Sequence, residues 1–358
     1  MRIAMLTVNV YDNYGNTLQK YALYRTLKKF ADFVEVLWHH STKPFSPYNL
    51  ELSPNFVGNV RAEAFKCVRQ SKFKDFDDAN ICTRFDLPYL EDIADEYDYF
   101  VAGSDQIWNP DLCVPGNFLE FAPKEKRIAY AASIAVPELP PNIINYYREK
   151  ISEIPYVSVR ESEGANLVEK ITGKRPLQLL DPVFLLDAEE WREIAKPPRW
   201  LRKKIYDNGY LLSYFFDGKP PEQVTNLAED LNLPVVNLLD FDNFDHYATG
   251  IEEFLYLVDN AALICTQSFH GAAFALNFKR PFIVYKVERG RMVQRFSRLD
   301  SLLELFGLSD RATDTDLEIK IEKPLKIDFA RLDEVLLIER ARAFDFLSTA
   351  LGVTHDEN

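Results

Sequence analysis

The pattern that most constrains this chain is an alternation, run through twice, of short apolar stretches with helical segments. Arg2 to Val8 is apolar and β-prone, Asp12-Asn13-Tyr14-Gly15-Asn16 supplies turn chemistry, and the stretch to Phe30 puts Leu23, Leu27 and Phe30 on one helical face. Strand, polar loop and helix in that order make the first half of a βαβ unit. Similar apolar runs recur at Tyr99–Ala102, Ile128–Ala132, Tyr156–Val159 and Leu177–Leu180. Alternation of this kind predicts a parallel sheet, because each crossover helix must return the chain over a face of the sheet. After the breaker-rich Lys196-Pro197-Pro198-Arg199-Trp200 a second set begins, with predicted strands at Tyr210–Phe216, Val235–Leu239, Ala261–Cys265 and Pro281–Tyr285. Predicted helices at Glu222–Leu231, Ile251–Asp259 and Gly271–Phe278 fall between them.

The chain therefore divides into an α/β domain over residues 1–200, a second over 201–327, and a C-terminal helix and tail over 328–358. At about 150 residues per domain, 358 residues agree with two. The helix is expected from Asp328 to Leu351, where Phe329, Leu332, Val335, Leu336, Ala343, Phe346, Leu347 and Ala350 share a face. The region Ser41–Leu90 mixes Pro44, Pro47 and Pro54 with a basic-aromatic helix around Arg61–Phe76, and no chemistry is assigned to it.

Composition narrows the partners. Apolar residues at 47% can fill a sizeable core. A formal charge of −13 with no long basic run argues against nucleic acid and anionic membrane surfaces. A negatively charged substrate must then be drawn in by a local group of arginines, histidines or helix N-termini. The four cysteines (Cys67, Cys82, Cys113, Cys265) form no C-x-x-C pair, and no His-x-x-x-His or His/Cys spacing is present, so neither a resident metal nor a cofactor is expected. No stretch approaches the 18 or so apolar residues of a membrane span, and the N-terminal apolar run is too short for a secretory segment. A soluble, cytoplasmic protein is the expectation.

In parallel sheets ligands bind beyond the C-terminal ends of the strands, so polar residues just after predicted strands are the candidate site. Asn13-Tyr14-Gly15-Asn16 offers a glycine for close backbone approach and a helix start for an anion, or is a plain turn and cap. In Gly103-Ser104-Asp105-Gln106-Ile107-Trp108-Asn109, Asp105 is either a proton acceptor toward a sugar hydroxyl or a helix cap, and Trp108 either stacks on a sugar or belongs to the core. Arg160 in Ser158-Val159-Arg160-Glu161 offers a planar fork to a carboxylate or phosphate, or pairs with Glu161 or Glu163. Asp181-Pro182 reads as a strand exit, with structure favoured over function. His270, in Thr266-Gln267-Ser268-Phe269-His270-Gly271, lies where a predicted helix begins, able to meet an anion or donate a proton. His39, His40 and His246 read as packing or surface residues.

Taken together and in this order, with Leu18-Gln19, Tyr21-Ala22-Leu23 and Ala129-Tyr130-Ala131-Ala132-Ser133 between them, these segments resemble the polysaccharide pyruvyl transferase family over about residues 1 to 310. The resemblance implies two Rossmann-like domains facing a cleft in GT-B fashion. It also implies phosphoenolpyruvate as donor, a lipid- or nucleotide-linked glycan as acceptor, and a pyruvate ketal as product in surface or exopolysaccharide biosynthesis. By position, Arg160 resembles the arginine that grips the donor and His270 the histidine beside its phosphate and reacting carbon, with the helix start at Gly271 for phosphate oxygens. Many members carry an arginine where this chain has Ser268; Arg295 and Arg298 are the nearest replacements, or else a surface basic turn. Asn13, Gly15, Gln106 and Trp108 complete the expected substrate-binding set, with Asp105 and His270 as the catalytic pair. The alternatives are a GT-B glycosyltransferase using a nucleotide-sugar and a non-catalytic glycan- or anion-binding protein.

Overall fold

The computed structural model describes residues 1–39, 56–87, 89–112, 114, 116–201, 208–286, 296–314 and 324–353. Two all-parallel sheets organise the chain. The first, in spatial order β3-β2-β1-β4-β5-β6-β7, is built from β1 (Arg2–Leu6), β2 (Phe33–His39), β3 (Thr83–Leu87), β4 (Tyr99–Gly103), β5 (Arg127–Ala132), β6 (Tyr156–Val159) and β7 (Leu177–Gln178). The second, in order β12-β11-β10-β8-β9, uses β8 (Leu211–Tyr214), β9 (Val235–Leu238), β10 (Leu263–Thr266), β11 (Phe282–Lys286) and β12 (Ala312–Asp314). Helices α1 (Tyr14–Leu27), α2 (Phe56–Asn80), α3 (Ile144–Ser152), α4 (Ser162–Thr172) and α5 (Ala188–Ile194) accompany the first sheet. With the second come α6 (Glu222–Asp230), α7 (Phe244–Tyr247), α8 (Ile251–Asp259), α9 (Phe269–Asn277) and α10 (Ser297–Phe306).

The predicted strand Leu177–Leu180 shortens to β7: the Leu179 N–H still bonds Val159 O at 3.0 Å, but Asp181 then caps a short 3-10 turn and the ladder stops. Helix α9 starts two residues before the predicted Gly271, with Ser268 as its N-cap.

Each sheet has one place where the strand order reverses. In the first, β1 continues toward β2 on one side while β4 lies on the other, in register Ile3↔Tyr99 through Leu6↔Ala102. In the second the reversal falls between β8 and β10, in register Leu263↔Leu211 through Thr266↔Tyr214. Crossovers leave opposite faces of the sheet at such a point, so the loops beyond the two strands part and open a crevice.

A continuous apolar core joins the sheets: Ile3 and Met5 of β1, Leu18 of α1, Phe254 of α8, Phe274 of α9 and Leu212 of β8 belong to one buried cluster. Tyr14 is the pin at the crevice, stacked on Phe254 with ring centroids 4.4 Å apart and donating its hydroxyl to Thr249 O at 2.8 Å. That contact holds Asn13 and Gly15, its chain neighbours, against the second sheet's elements. The last helix, α11 (Ala330–Leu351), returns to the first sheet, with Phe346 against Tyr130 and Arg342 bonding Gln178 O. Among the described residues no helix is long and apolar enough to cross a membrane.

Candidate active site

The two crevices face each other and share a cavity of about 80 Å³. Asn13 reaches it from the loop after β1, Asp105 and Gln106 from the loop after β4, Phe216 from beyond β8, and Gln267, Ser268 and His270 from beyond β10. A second cavity of about 300 Å³, lined by Arg160, Asp181, Ser162 and Ser301, adjoins it, and Phe269 and Arg298 line both.

Three of the predicted residues, Arg160, His270 and Asp105, meet here with Asp181, which reads as structural in the sequence. Arg160, at the exit of β6 with its side chain 2% exposed, places Nη1 2.6 Å from Asp181 Oδ2, Nη2 3.6 Å from Asp105 Oδ1 and Nε 3.7 Å from Glu161 Oε2. Only the first is a hydrogen bond; Nε and Nη2 are buried without a partner. Burial works against the cation, but Asp181, Asp105 and Glu161 outweigh it and hold the guanidinium charged. Its flat face lies over the Phe269 ring at 4.8 Å. Glu161 is committed elsewhere: Oε1 accepts from Ser133 Oγ at 2.8 Å and from the Ile134 N–H at 3.1 Å.

His270 is in the first turn of α9, 7% exposed, with Nε2 3.4 Å from Asp181 Oδ2. Asp181 is fully buried, which penalises its charge, yet His270, Arg160 and the Val183 N–H hold its carboxyl well below the usual carboxylate range. Asp105 accepts from Asn16 Nδ2 at 3.2 Å.

Other expectations are corrected by the packing. Trp108 is fully buried, its Nε1 donating to Asn117 O at 2.9 Å and its ring stacked on Phe118, so it is core and cannot meet a sugar. Of the aromatic side chains at the cavity, Phe216, Phe269 and Phe296, Phe216 is the exposed one at 37%, and the sequence did not single it out. Gly15 does allow a close approach, but to the His270 ring: a Cβ there would lie 1.9 Å from Nδ1. The Gly271 N–H is taken by Ser268 Oγ at 3.3 Å, and its missing Cβ makes room for Thr266 Oγ1, which it would otherwise meet at 2.6 Å; this glycine serves packing, not phosphate. Ser268 lines the cavity while its hydroxyl caps α9. Arg298 is buried in the first turn of α10 rather than on a surface turn. Arg295 lies outside the described residues. Among the described residues no group of three His, Cys, Asp or Glu side chains lies close enough together to hold a metal ion.

Two parallel-sheet domains whose switch points face one another across a polar cleft define a GT-B-type protein. The chain belongs to the polysaccharide pyruvyl transferase family, whose model matches residues 13–289. Among solved structures it is similar to a protein of Listeria monocytogenes proposed to be a UDP-N-acetylglucosamine 2-epimerase, with TM-score 0.50 and 12% identity over 99% of each chain. Acinetobacter baumannii MurG aligns with TM-score 0.44 and 9% identity over 98% of this chain and 99% of that one. At such identities the likeness concerns the fold alone. No curated protein matches the chain.

Proposed function

We propose that the protein transfers the pyruvyl group of phosphoenolpyruvate onto two hydroxyls of a glycan, forming a pyruvate ketal and releasing inorganic phosphate. The observation that carries this reading is Arg160: a buried guanidinium whose Nε and Nη2 make no hydrogen bond, only ion-pair contacts at 3.6–3.7 Å, set beside His270 with Asp181 between them. Buried donors are normally satisfied, so this pair is shaped for an anionic ligand such as the donor's carboxylate.

In the reaction C3 of phosphoenolpyruvate gains a proton, the oxygen of the first glycan hydroxyl bonds to C2, and the C2–O bond to phosphate breaks. The second hydroxyl oxygen then bonds to C2. Of the two hydroxyl protons, one balances that taken up at C3 and the other leaves on phosphate. Arg160 holds the carboxylate, Arg298 and the positive end of α9 face the phosphate, His270 delivers a proton, and Asp105 accepts one from the acceptor. The amides of Asn13, Gln106 and Gln267 with the Phe216 ring suit a sugar. The scheme uses no cofactor or resident metal, and the donor places it in the cytoplasm.

Incubated with phosphoenolpyruvate and a lipid- or nucleotide-linked glycan, the protein should release phosphate and raise the glycan mass by that of pyruvate less water. Sugar transfer from a nucleotide donor with phosphoenolpyruvate inert, or glycan binding with no phosphate released, overturns the reading.

A further inference from the structure

We infer that Asp181 is a positioning residue that fixes the protonated nitrogen of His270 and ties it to the arginine that captures the donor; in its catalytic consequence this rests on the reading above. The residue stands at the end of β7's short ladder, where it reads as an ordinary strand exit and does cap the turn that follows.

Its two oxygens divide the work. Oδ1 accepts the Val183 N–H at 3.0 Å, which satisfies the cap and stops the carboxylate from swinging away. Oδ2 accepts from Arg160 Nη1 at 2.6 Å and lies 3.4 Å from His270 Nε2, a buried ring nitrogen that makes no other hydrogen bond and has no nearer acceptor among the described residues. The neighbouring backbone is held as well, since Leu180 O accepts the Tyr130 hydroxyl. A cap needs only the first oxygen; the second has no structural partner to serve except the two groups of the active site.

A carboxylate accepts and cannot donate, so the His270 nitrogen facing it is the one that carries hydrogen. Nε2–H toward Asp181 leaves Nδ1, on the ring edge above Gly15, as the nitrogen that exchanges a proton with the donor. The charged groups around the pair are Arg160, Asp105 and Glu161, and of the three carboxylates Asp181 is the one in contact with both Arg160 and the imidazole.

Asp181→Asn separates the two roles, because the amide oxygen keeps the Val183 cap while the amide nitrogen sets a donor against two donors. The expected result is a kcat lower by about 10²-fold, with no further loss when the same change is made in a His270→Gln background. In ¹⁵N spectra of the ligand-free parent, His270 is expected as the Nε2–H tautomer. A kcat loss of equal size in both backgrounds, or a parent His270 protonated at Nδ1 alone, overturns the inference. If the asparagine variant does not fold, the parent spectrum decides by itself. If the parent releases no phosphate from phosphoenolpyruvate, the functional reading fails, and the spectrum still tests Asp181.

Discussion

Gly15 shows how one missing atom sets the position of the group on which the chemistry depends. The Asn13 side chain starts α1 by accepting from the Asn16 N–H, Tyr14 anchors the loop to the far domain, and the bare Cα of Gly15 is the wall against which the imidazole rests. Gly15→Ala should leave α1 folded, since alanine is the better helix former, while pushing the His270 ring aside. A displacement of about 1 Å can cost 10²-fold in rate, so kcat should fall on that order, while overpacking against the buried ring lowers stability by about 1–3 kcal/mol. A variant with parental kcat would remove His270 from the chemistry. The position of Gly15 after a strand was legible in the sequence; its partner, 255 residues on, was not. Trp108 and Phe216 make the same point: spacing puts Trp108 beyond one predicted strand and Phe216 at the end of another, but cannot say which ring faces the cleft. Asp181 was given to structure because a cap and a charge partner look alike in sequence, and only the fold brings Arg160 and His270 to its second oxygen.

Elements were read well where one signal sufficed. Ile251–Asp259 appears with its predicted bounds because its apolar face is unambiguous and the polar first turn, Glu252-Glu253, marks the start. Strand β3 was missed because it pairs only with β2, at the edge of the sheet, and its sequence Thr-Arg-Phe-Asp-Leu carries the charges that edges favour. Helix α1 is a harder case: every residue but Arg25 is buried, so it has no polar stripe, and Lys20 must find a partner inside. It pairs with Asp77 of α2, both side chains almost fully buried, with its ammonium near the Trp38 ring. Removing one member of such a pair strands the other charge. Lys20→Met should cost about 3–5 kcal/mol in urea unfolding, and adding Asp77→Leu should restore most of it. A single-variant loss within about 0.5 kcal/mol, the size of an ordinary surface change, would show that the pair is not what joins α1 to α2.

At the scale of the whole molecule the division near residue 200 falls between the last strand of the first sheet and the first of the second, while α11 crosses back and packs beside β5 and β7. Neither domain alone completes the site: Asn13, Asp105, Arg160 and Asp181 come from one and Phe216, His270 and Arg298 from the other. A ligand bound between them therefore stabilises both together, by RT ln(1 + [L]/Kd), or about 2.7 kcal/mol at a hundredfold excess over Kd. Phosphoenolpyruvate should raise the unfolding midpoint of the whole chain in one transition, a shift that Arg160→Lys reduces because the ammonium keeps the charge but loses the planar fork. The shift should survive exhaustive EDTA treatment, as the anion is held by arginine and a helix end rather than through a metal. Nucleotide-sugars should produce none. Stabilisation by a nucleotide-sugar with phosphoenolpyruvate silent would assign the cleft to glycosyl transfer, and loss of the phosphoenolpyruvate shift on chelation would put a cation into the donor site.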